Sequence, residues 1–192
     1  MKQAKVLNEK ELKILLRVAS TTKHGERNKL VVLFSYLAGL RACEIAALRI
    51  CDVVDTHGQA KSEAYLSATQ TKGNKAQCVV LNKSLQPCVE QYVSKDRNVA
   101  KRNEPLFVSQ KRNAFTSQSI QNLFRNLYEA AGIEHASSHS GRRTFITKLS
   151  ENGVSTRVIQ ELARHSSMAT TQRYIDVSVE KLHAAAKLVS IK

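Results

Sequence analysis

The first part of the chain has apolar side chains at the spacing of α-helices. Asn8 and Glu11 form a capping-box variant, which predicts a helix start because each side chain can bond the other residue's backbone N–H. The apolar positions that follow at helical spacing are Leu12, Leu15, Leu16 and Ala19. Residues 30–38 are apolar almost all round, which predicts a central, buried helix that ends at Gly39.

A junction and a small sheet are predicted next. A helix over residues 42–49 follows the glycine at once, so Arg41 lies in a tight junction between two helices. Three short segments then have β-favouring patterns, namely residues 50–55, 64–68 and 77–81. Turns at residues 56–58 and 72–75 separate these segments, so the pattern predicts a small three-stranded antiparallel sheet.

The second half of the chain is predicted to be helical. An amphipathic stripe consists of Ile120, Leu123, Phe124 and Leu127. After residue 139 the pattern predicts a helix, a break at Gly153, a second helix and a short helix that holds Tyr174. A last helix is predicted from about residue 179 to residue 188. The expected fold is mainly α with a small three-stranded antiparallel β-sheet, in one domain over residues 1–192.

The composition adds a strong positive charge. The 192 residues include 30 Lys and Arg against 16 Asp and Glu, which gives a net charge of +14. A fold does not require this imbalance, so it indicates a polyanionic partner such as nucleic acid, with a solvated basic surface as the alternative. The four cysteines form no C-x-x-C pair, and the sequence has neither a signal-like N-terminus nor an apolar run of membrane-spanning length. We therefore expect a cytoplasmic protein without a membrane partner.

Six side chains are candidates for a catalytic site. They are Arg41, Lys72, His139, Arg142, His165 and Tyr174. Arg41 lies in the sequence G-L-R-A-C-E at the helix junction, and Lys72 lies in T-K-G-N-K at the predicted hairpin tip. His139 and Arg142 are three residues apart, so they share one face at the start of a predicted helix.

The chemistry of phosphodiester cleavage explains why these residue types belong together. The transition state has extra negative charge on the non-bridging oxygens, to which Arg41 and Arg142 can each donate two parallel hydrogen bonds. The two histidines add donors and can move protons near neutral pH. A cluster of cations also activates a tyrosine hydroxyl, so Tyr174 is a feasible nucleophile. The leaving 5′-oxygen needs a proton, and Lys72 and Lys75 are the rival donors.

Together these residues resemble the tyrosine recombinase (phage integrase) family, from about residue 8 to residue 186. The family signature is an arginine, a β-hairpin lysine, His-x-x-Arg, a second histidine and a tyrosine, and the six candidates follow this order. The match favours Lys72 over Lys75 as the hairpin lysine. Where the family usually has Leu and His around its second arginine, this chain has Gly141 and Arg143, and Arg164 replaces the Gly often found before the second histidine.

The resemblance implies a site-specific DNA recombinase with the fold of a tyrosine recombinase catalytic domain. Tyr174 would form a 3′-phosphotyrosyl link and free a 5′-hydroxyl, and a 5′-hydroxyl of a partner strand would then restore the DNA. The covalent link keeps the bond energy, so neither a cofactor nor a metal is expected. The implied outcome is integration, excision or inversion of a DNA segment. The expected partners are double-stranded DNA, further copies of the chain in a tetramer on DNA, and accessory DNA-bending proteins.

The resemblance also sets expectations for both ends of the chain. Most family members have a separate helical DNA-clamping domain before the catalytic one, and this chain starts almost where the catalytic domain would. We expect either an excised domain or a short recombinase like those that invert fimbrial promoters. Residues 177–192 are expected to form a helix that packs on a neighbouring protomer, with packing on its own domain as the alternative.

Other interpretations of the pattern stay open. A type IB topoisomerase uses the same chemistry to relax supercoils, and a DNA-binding protein that has lost catalysis would retain only the charge. The intact set of six residues argues against the second. Single residues also have ordinary explanations, such as helix capping by Arg41 or core packing by Tyr174, but the ordered set favours a catalytic site. Glu44 matches an acidic position of the family, and we interpret it as a residue that orients a cation of the site.

Overall fold

Helices make up most of the protein in the computed structural model, which describes residues 3–71, 73–110 and 112–175. In chain order the described helices are α1 (Glu9–Thr21), α2 (Gly25–Leu37), α3 (Ala42–Ala47), α4 (Ile50–Val53), α5 (Gln86–Asp96), α6 (Ser117–Ala130), α7 (Ser140–Glu151), α8 (Thr156–Ala163) and α9 (Met168–Gln172). Two strands, β1 (Glu63–Leu66) and β2 (Gln77–Val80), lie between α4 and α5. The prediction of a mainly helical fold is confirmed. Within the described ranges, no helix has the length and apolar character needed to cross a bilayer.

The first two helices form as their sequence predicts. The Asn8 side chain accepts a hydrogen bond from the Glu11 N–H at 2.9 Å, and the Glu11 carboxylate accepts one from the Asn8 N–H at 3.0 Å. This capping box starts α1. α2 is buried over most of its length and contacts α1, α3, α5 and α7. In the main core the Phe34 ring of α2 meets the Phe107 ring edge-on, with 5.9 Å between the centroids.

The sheet has two strands in the described part of the chain, so the prediction of a third strand is wrong. β1 and β2 pair antiparallel, from Glu63 opposite Val80 to Leu66 opposite Gln77. Burial alternates along β1, which places every second side chain against the core. Lys72 belongs to the connection between the two strands and lies outside the described residues.

The predicted strand over residues 50–55 starts instead with the single helical turn α4. Asp52 accepts the N–H of Arg49 at 2.8 Å through its carboxylate and thereby caps this turn. The first and last side chains of α4 are both buried, at the i,i+3 spacing that a helical turn brings to one face. In place of the expected strand pairing, the structure has an isolated antiparallel bridge between Val54 and Ala60. Local capping therefore prevails over the β-favouring composition of this segment.

The last three described helices pack around a small second core. Its buried members are Ile146, Ile159 and Ala163. The predicted order of helix, Gly153 break and helix is confirmed by α7 and α8. Tyr174, which was predicted to lie within a short helix, follows α9 in a turn where its N–H donates to the Thr171 carbonyl at 3.0 Å. The expected helix over residues 177–192 lies outside the described residues.

Close contacts hold α7 against α2 and against the N-terminal segment. A Cβ added at Gly141 would lie 2.6 Å from Ser35 Oγ, so the glycine allows the two helices to approach closely. The Thr144 hydroxyl accepts the N–H of Leu7 at 2.8 Å. Gly141, one of the departures from the family pattern, therefore has a packing reason.

We expect Gly39→Ala to destabilise the fold more than Gly132→Ala. Both glycines have left-handed backbones, with φ of +61° and +64°, so both substitutions introduce the same backbone strain of about 1 kcal/mol. A Cβ at position 39 would also lie 2.6 Å from the Phe145 ring, whereas nothing lies within 4 Å at position 132. Overpacking adds a further ~1 kcal/mol or more for Gly39→Ala. Urea unfolding of the two variants measures the difference, and equal losses would contradict the contact with Phe145.

Candidate active site

The junction between α2 and α3 holds Arg41 against a buried carboxylate. The Arg41 N–H donates to Glu44 Oε2 at 2.9 Å, and Arg41 Nη1 lies 2.5 Å from Glu44 Oε1. The Glu44 side chain is fully buried, while that of Arg41 is 22% exposed and lines a cleft. Burial alone would raise the pKa of the Glu44 carboxyl, but the charges of Arg164, Arg41 and Arg142 outweigh it and lower that pKa. Glu44 is therefore an anion that orients Arg41.

Arg142 reaches the same junction from α7. Its Nη1 donates to the Gly39 carbonyl at 2.6 Å, and its Nη2 donates to the Ala163 carbonyl at the end of α8. Only 4% of Arg142 is exposed. Burial, and then the charges of Arg41 and Arg164, lower the pKa of the Arg142 guanidinium to about 9, so it stays protonated at neutral pH. The two predicted arginines therefore lie side by side around Gly39.

His165 follows α8 and is buried. Its Nδ1 shares a hydrogen bond of 2.9 Å with Thr171 Oγ1, and its backbone N–H donates to the Gln160 carbonyl at 3.0 Å. Burial, followed by the charges of Arg142 and Arg41, lowers the pKa of the His165 ring to about 4. At neutral pH the ring is therefore uncharged, with one nitrogen as a donor and the other as an acceptor.

Tyr174 is held between two side chains of the site. Its ring stacks on the His165 ring with 5.7 Å between the centroids and an interplanar angle of 22°. The Arg143 guanidinium carbon lies 5.5 Å from the centroid of the Tyr174 ring, at cation–π distance. Arg143 also donates to the Gln3 side chain, which connects this contact to the N-terminal segment. The predicted nucleophile thus lies beside the predicted second histidine of its own chain.

The remaining candidates are located less completely. His139 is the N-cap residue of α7, three residues before Arg142, and it is exposed. Lys72 lies outside the described residues, but the exposed Lys75 of the same connection lines a cleft of about 800 Å³. Arg41 and His165 line the same cleft. The connection between the two strands and the buried cluster therefore border one opening.

Two arginines that the sequence marked only as departures from the family pattern are part of this site. Arg143 contacts the Tyr174 ring, and Arg164 enters the buried cluster with a side chain that is 4% exposed. Arg164 Nη2 donates to the Gly39 carbonyl at 2.9 Å and lies 3.3 Å from Glu44 Oε2. The available signal was their position directly beside the motif residues Arg142 and His165. Three guanidinium groups and one carboxylate leave this site positive and suited to a phosphodiester anion.

Comparisons with known proteins identify relatives in sequence and in fold. The model of the phage integrase family matches residues 5–181. The tyrosine recombinase XerD of Oceanobacillus iheyensis is 31% identical over 182 residues, covering 92% of this chain and 59% of that protein. The crystal structure of a XerA recombinase is similar with a TM-score of 0.74 and 29% identity, covering 98% of this chain and 66% of the other.

A further solved structure shares the fold at low sequence identity. The Tn1549 transposon integrase, in complex with circular intermediate DNA, has a TM-score of 0.76 and 15% identity, covering 99% of this chain and 68% of the other. Across the curated relatives, the chain spans about half to two thirds of their length.

Replacement of Glu44 by Gln should cost about 3–5 kcal/mol of stability at neutral pH, because the buried arginines lose their counter-charge. The pKa of Glu44 is lower in the folded state than in the unfolded state. The ionised carboxylate therefore stabilises the fold fully above the unfolded-state pKa, and this stabilisation is lost as the pH falls through the folded-state pKa. The difference between wild type and Glu44→Gln should therefore shrink below about pH 4.

Glu161→Gln is the matched control for this measurement. Glu161 pairs with Arg157 at 2.6 Å on an exposed helix face, and such pairs contribute at most ~0.5 kcal/mol. Urea unfolding of both variants from pH 3 to 8 separates the two cases. A Glu44→Gln variant as stable as Glu161→Gln at pH 7 would contradict the role of the buried carboxylate.

Proposed function

The chain belongs to the phage integrase family, and from this membership we propose that it is a tyrosine-type site-specific recombinase. The observation that supports the proposal most directly is one cluster of predicted residues: Arg41 and His165 line the cleft, Arg142 reaches the α2–α3 junction beside Arg41, and the Tyr174 ring stacks on His165. In this proposal residues 1–192 act as one catalytic domain. The main core that helices α1–α6 share supports this part of the proposal. The recombinases and integrases among the similar proteins do not favour a topoisomerase or an inactive DNA-binding protein.

The proposed reaction uses the site as follows. Arg41 and Arg142 bind the non-bridging oxygens of the scissile phosphate and stabilise the charge that develops on them. The Tyr174 hydroxyl gives its proton to water, its oxygen attacks phosphorus, the bond to the 5′-oxygen breaks, and a 3′-phosphotyrosyl link remains. Lys72 gives its proton to the leaving 5′-oxygen. In the second step a 5′-hydroxyl gives its proton to Lys72 and attacks the link, and Tyr174 leaves and takes up a proton from water.

The histidines have supporting roles in this proposal. His165 is uncharged at neutral pH, so it can donate one hydrogen bond to the phosphate without adding to the crowded positive charge. His139, at the start of the helix that holds Arg142, donates a second one in this proposal. The stacking of the Tyr174 ring on His165 supports a role of both residues at one phosphate.

Double-stranded DNA is the proposed partner. The net charge of +14 and the basic cleft fit a polyanion, and the structurally similar Tn1549 integrase is in complex with DNA. Strand exchange needs two duplexes, so we propose a tetramer on DNA, with accessory DNA-bending proteins as further partners. Residues 177–192, outside the described part, would contact a neighbouring protomer in this assembly.

Tyr174→Phe should abolish covalent protein–DNA adducts on a nicked suicide substrate. DNA affinity should stay within about twofold, because phosphate contacts with Lys and Arg supply most of it. Tyr65→Phe is the control, since Tyr65 is exposed on β1 and its hydroxyl bonds Glu63 instead. Adducts are separated by denaturing electrophoresis. Adducts that persist in Tyr174→Phe would refute the assignment of the nucleophile.

Lys72→Ala should slow cleavage about a hundredfold or more, as expected for loss of a general acid. A substrate with sulfur in place of the 5′-oxygen should restore the rate, because a thiolate leaves without a proton. Lys75→Ala is the matched control on the same connection and should cleave both substrates at nearly the wild-type rate. If Lys75→Ala were the slow and rescued variant, Lys75 would be the acid.

A further inference from the structure

Arg164 lies at the centre of the site, at a position where the family pattern has no charged residue. Its Nη2 donates to the Gly39 carbonyl at 2.9 Å, and its Nη1 donates to the Leu162 carbonyl at 2.8 Å. Its backbone is left-handed with φ of +54°, which costs a non-glycine residue about 1 kcal/mol. A glycine would avoid this strain, whereas the arginine side chain adds contacts at the centre of the site.

The most informative contact is with Glu44, which two arginines share. Glu44 Oε1 lies 2.5 Å from Arg41 Nη1, and Glu44 Oε2 lies 3.3 Å from Arg164 Nη2. If Arg41 were the sole partner of Glu44, the buried carboxylate would cancel most of the charge of Arg41, and Arg142 would be the remaining cation of the site. With Arg164 present, two cations share the one anion, so Arg41 and Arg164 together add a net positive charge to that of Arg142.

We propose that Arg164 is a positioning residue that supplies the counter-charge of Glu44 and so leaves the charge of Arg41 available to the scissile phosphate. This inference rests on the proposed recombinase function. Arg164 also lines the cleft, but its terminal nitrogens already donate to the Leu162 and Gly39 carbonyls and to Glu44, so in this proposal it acts through Glu44 and Arg41. Glu44 still orients Arg41 through the Arg41 N–H, so orientation and charge are provided by different residues.

A purely structural role of Arg164, as an anchor for the end of α8, makes a different prediction. Both roles predict slower cleavage when Arg164 is removed. Under the charge role, removal of the Glu44 charge as well should restore part of the rate, because nothing then neutralises Arg41. Under the anchoring role, the second substitution removes one more contact and should leave the rate unchanged or lower.

The experiment measures single-turnover adduct formation on a nicked suicide duplex at saturating protein, together with the Kd for the same duplex. Arg164→Gly suits the left-handed backbone, so it removes the side chain without new strain. Arg112→Gly is the matched control, because Arg112 is also an arginine with a left-handed backbone, at φ of +60°, but is exposed and lines no part of the catalytic cleft.

We expect the cleavage rate of Arg164→Gly to be at least about tenfold below that of wild type, with a Kd within about threefold of wild type. A slower rate at nearly unchanged affinity is the effect of losing charge stabilisation in the transition state. The double variant Glu44→Gln/Arg164→Gly should cleave at least about threefold faster than Arg164→Gly, and Arg112→Gly should match wild type. Arg164→Lys keeps the charge and loses the planar fork, so it should cleave within about threefold of wild type. If the double variant does not fold, the rate of Arg164→Lys distinguishes the charge role from the anchoring role.

Several outcomes would overturn the inference. An Arg164→Gly variant with the wild-type rate would do so, as would a folded double variant no faster than Arg164→Gly, or Arg164→Lys as slow as Arg164→Gly. If the wild-type chain itself forms no adduct on a DNA library, the proposed function fails and the inference with it. A normal wild-type adduct combined with any of the other results rejects the role of Arg164 alone.

Discussion

The fully buried carboxylate of Glu44 is the constraint on which the candidate site depends. A buried charge needs partners, and Glu44 finds them in Arg41 of its own helix start and in Arg164 after α8. The Gly39 carbonyl then accepts hydrogen bonds from both Arg142 and Arg164. These contacts join the α2–α3 junction, α7 and the end of α8, so the three segments that provide the site are connected by polar bonds at its centre.

This concentration of cations determines how the other groups behave. Burial and the neighbouring arginines keep His165 uncharged at neutral pH, with a pKa of about 4. The guanidinium groups also repel one another, since Glu44 is the one carboxylate among them in the described part of the chain. In the proposed function, a phosphate that enters the cleft relieves this repulsion, so DNA binding would be thermodynamically linked to the stability of the site. The proposed chemistry and this repulsion between the arginines therefore have the same electrostatic origin.

The parts of the structure that the sequence predicts are those decided by near neighbours. The capping box of Asn8 and Glu11, the buried α2 and the end of that helix at Gly39 all depend on residues within a few positions. Residues 50–55 do not form the expected strand. The Asp52 cap and the burial of both ends of the turn stabilise a helical turn, and this outweighs the β propensity of the segment.

The sequence predicted four residues that the structure brings near one another, Arg41, Arg142, His165 and Tyr174, but not the contacts that join them. The ion pair between Glu44 and Arg164 joins positions 120 residues apart, and no local pattern encodes it. The contact of Arg143 with the Tyr174 ring is a tertiary contact of the same kind. Both arginines looked like departures from a familiar motif, and only the packing of α7 and α8 against the α2–α3 junction gives them partners.

Among the described residues, Tyr174 packs against the small second core of Ile146, Ile159 and Ala163 and not against the main core around Phe34. Elements outside the main core of a domain can open at a fraction of the free energy needed to unfold the whole domain. Tyr174, the proposed nucleophile, can therefore detach from His165 and Arg143 while α1–α6 stay folded. The fraction of molecules in which Tyr174 can attack is then set by a local conformational equilibrium. Any molecule that binds near α9 can shift this equilibrium without altering the arginine cluster.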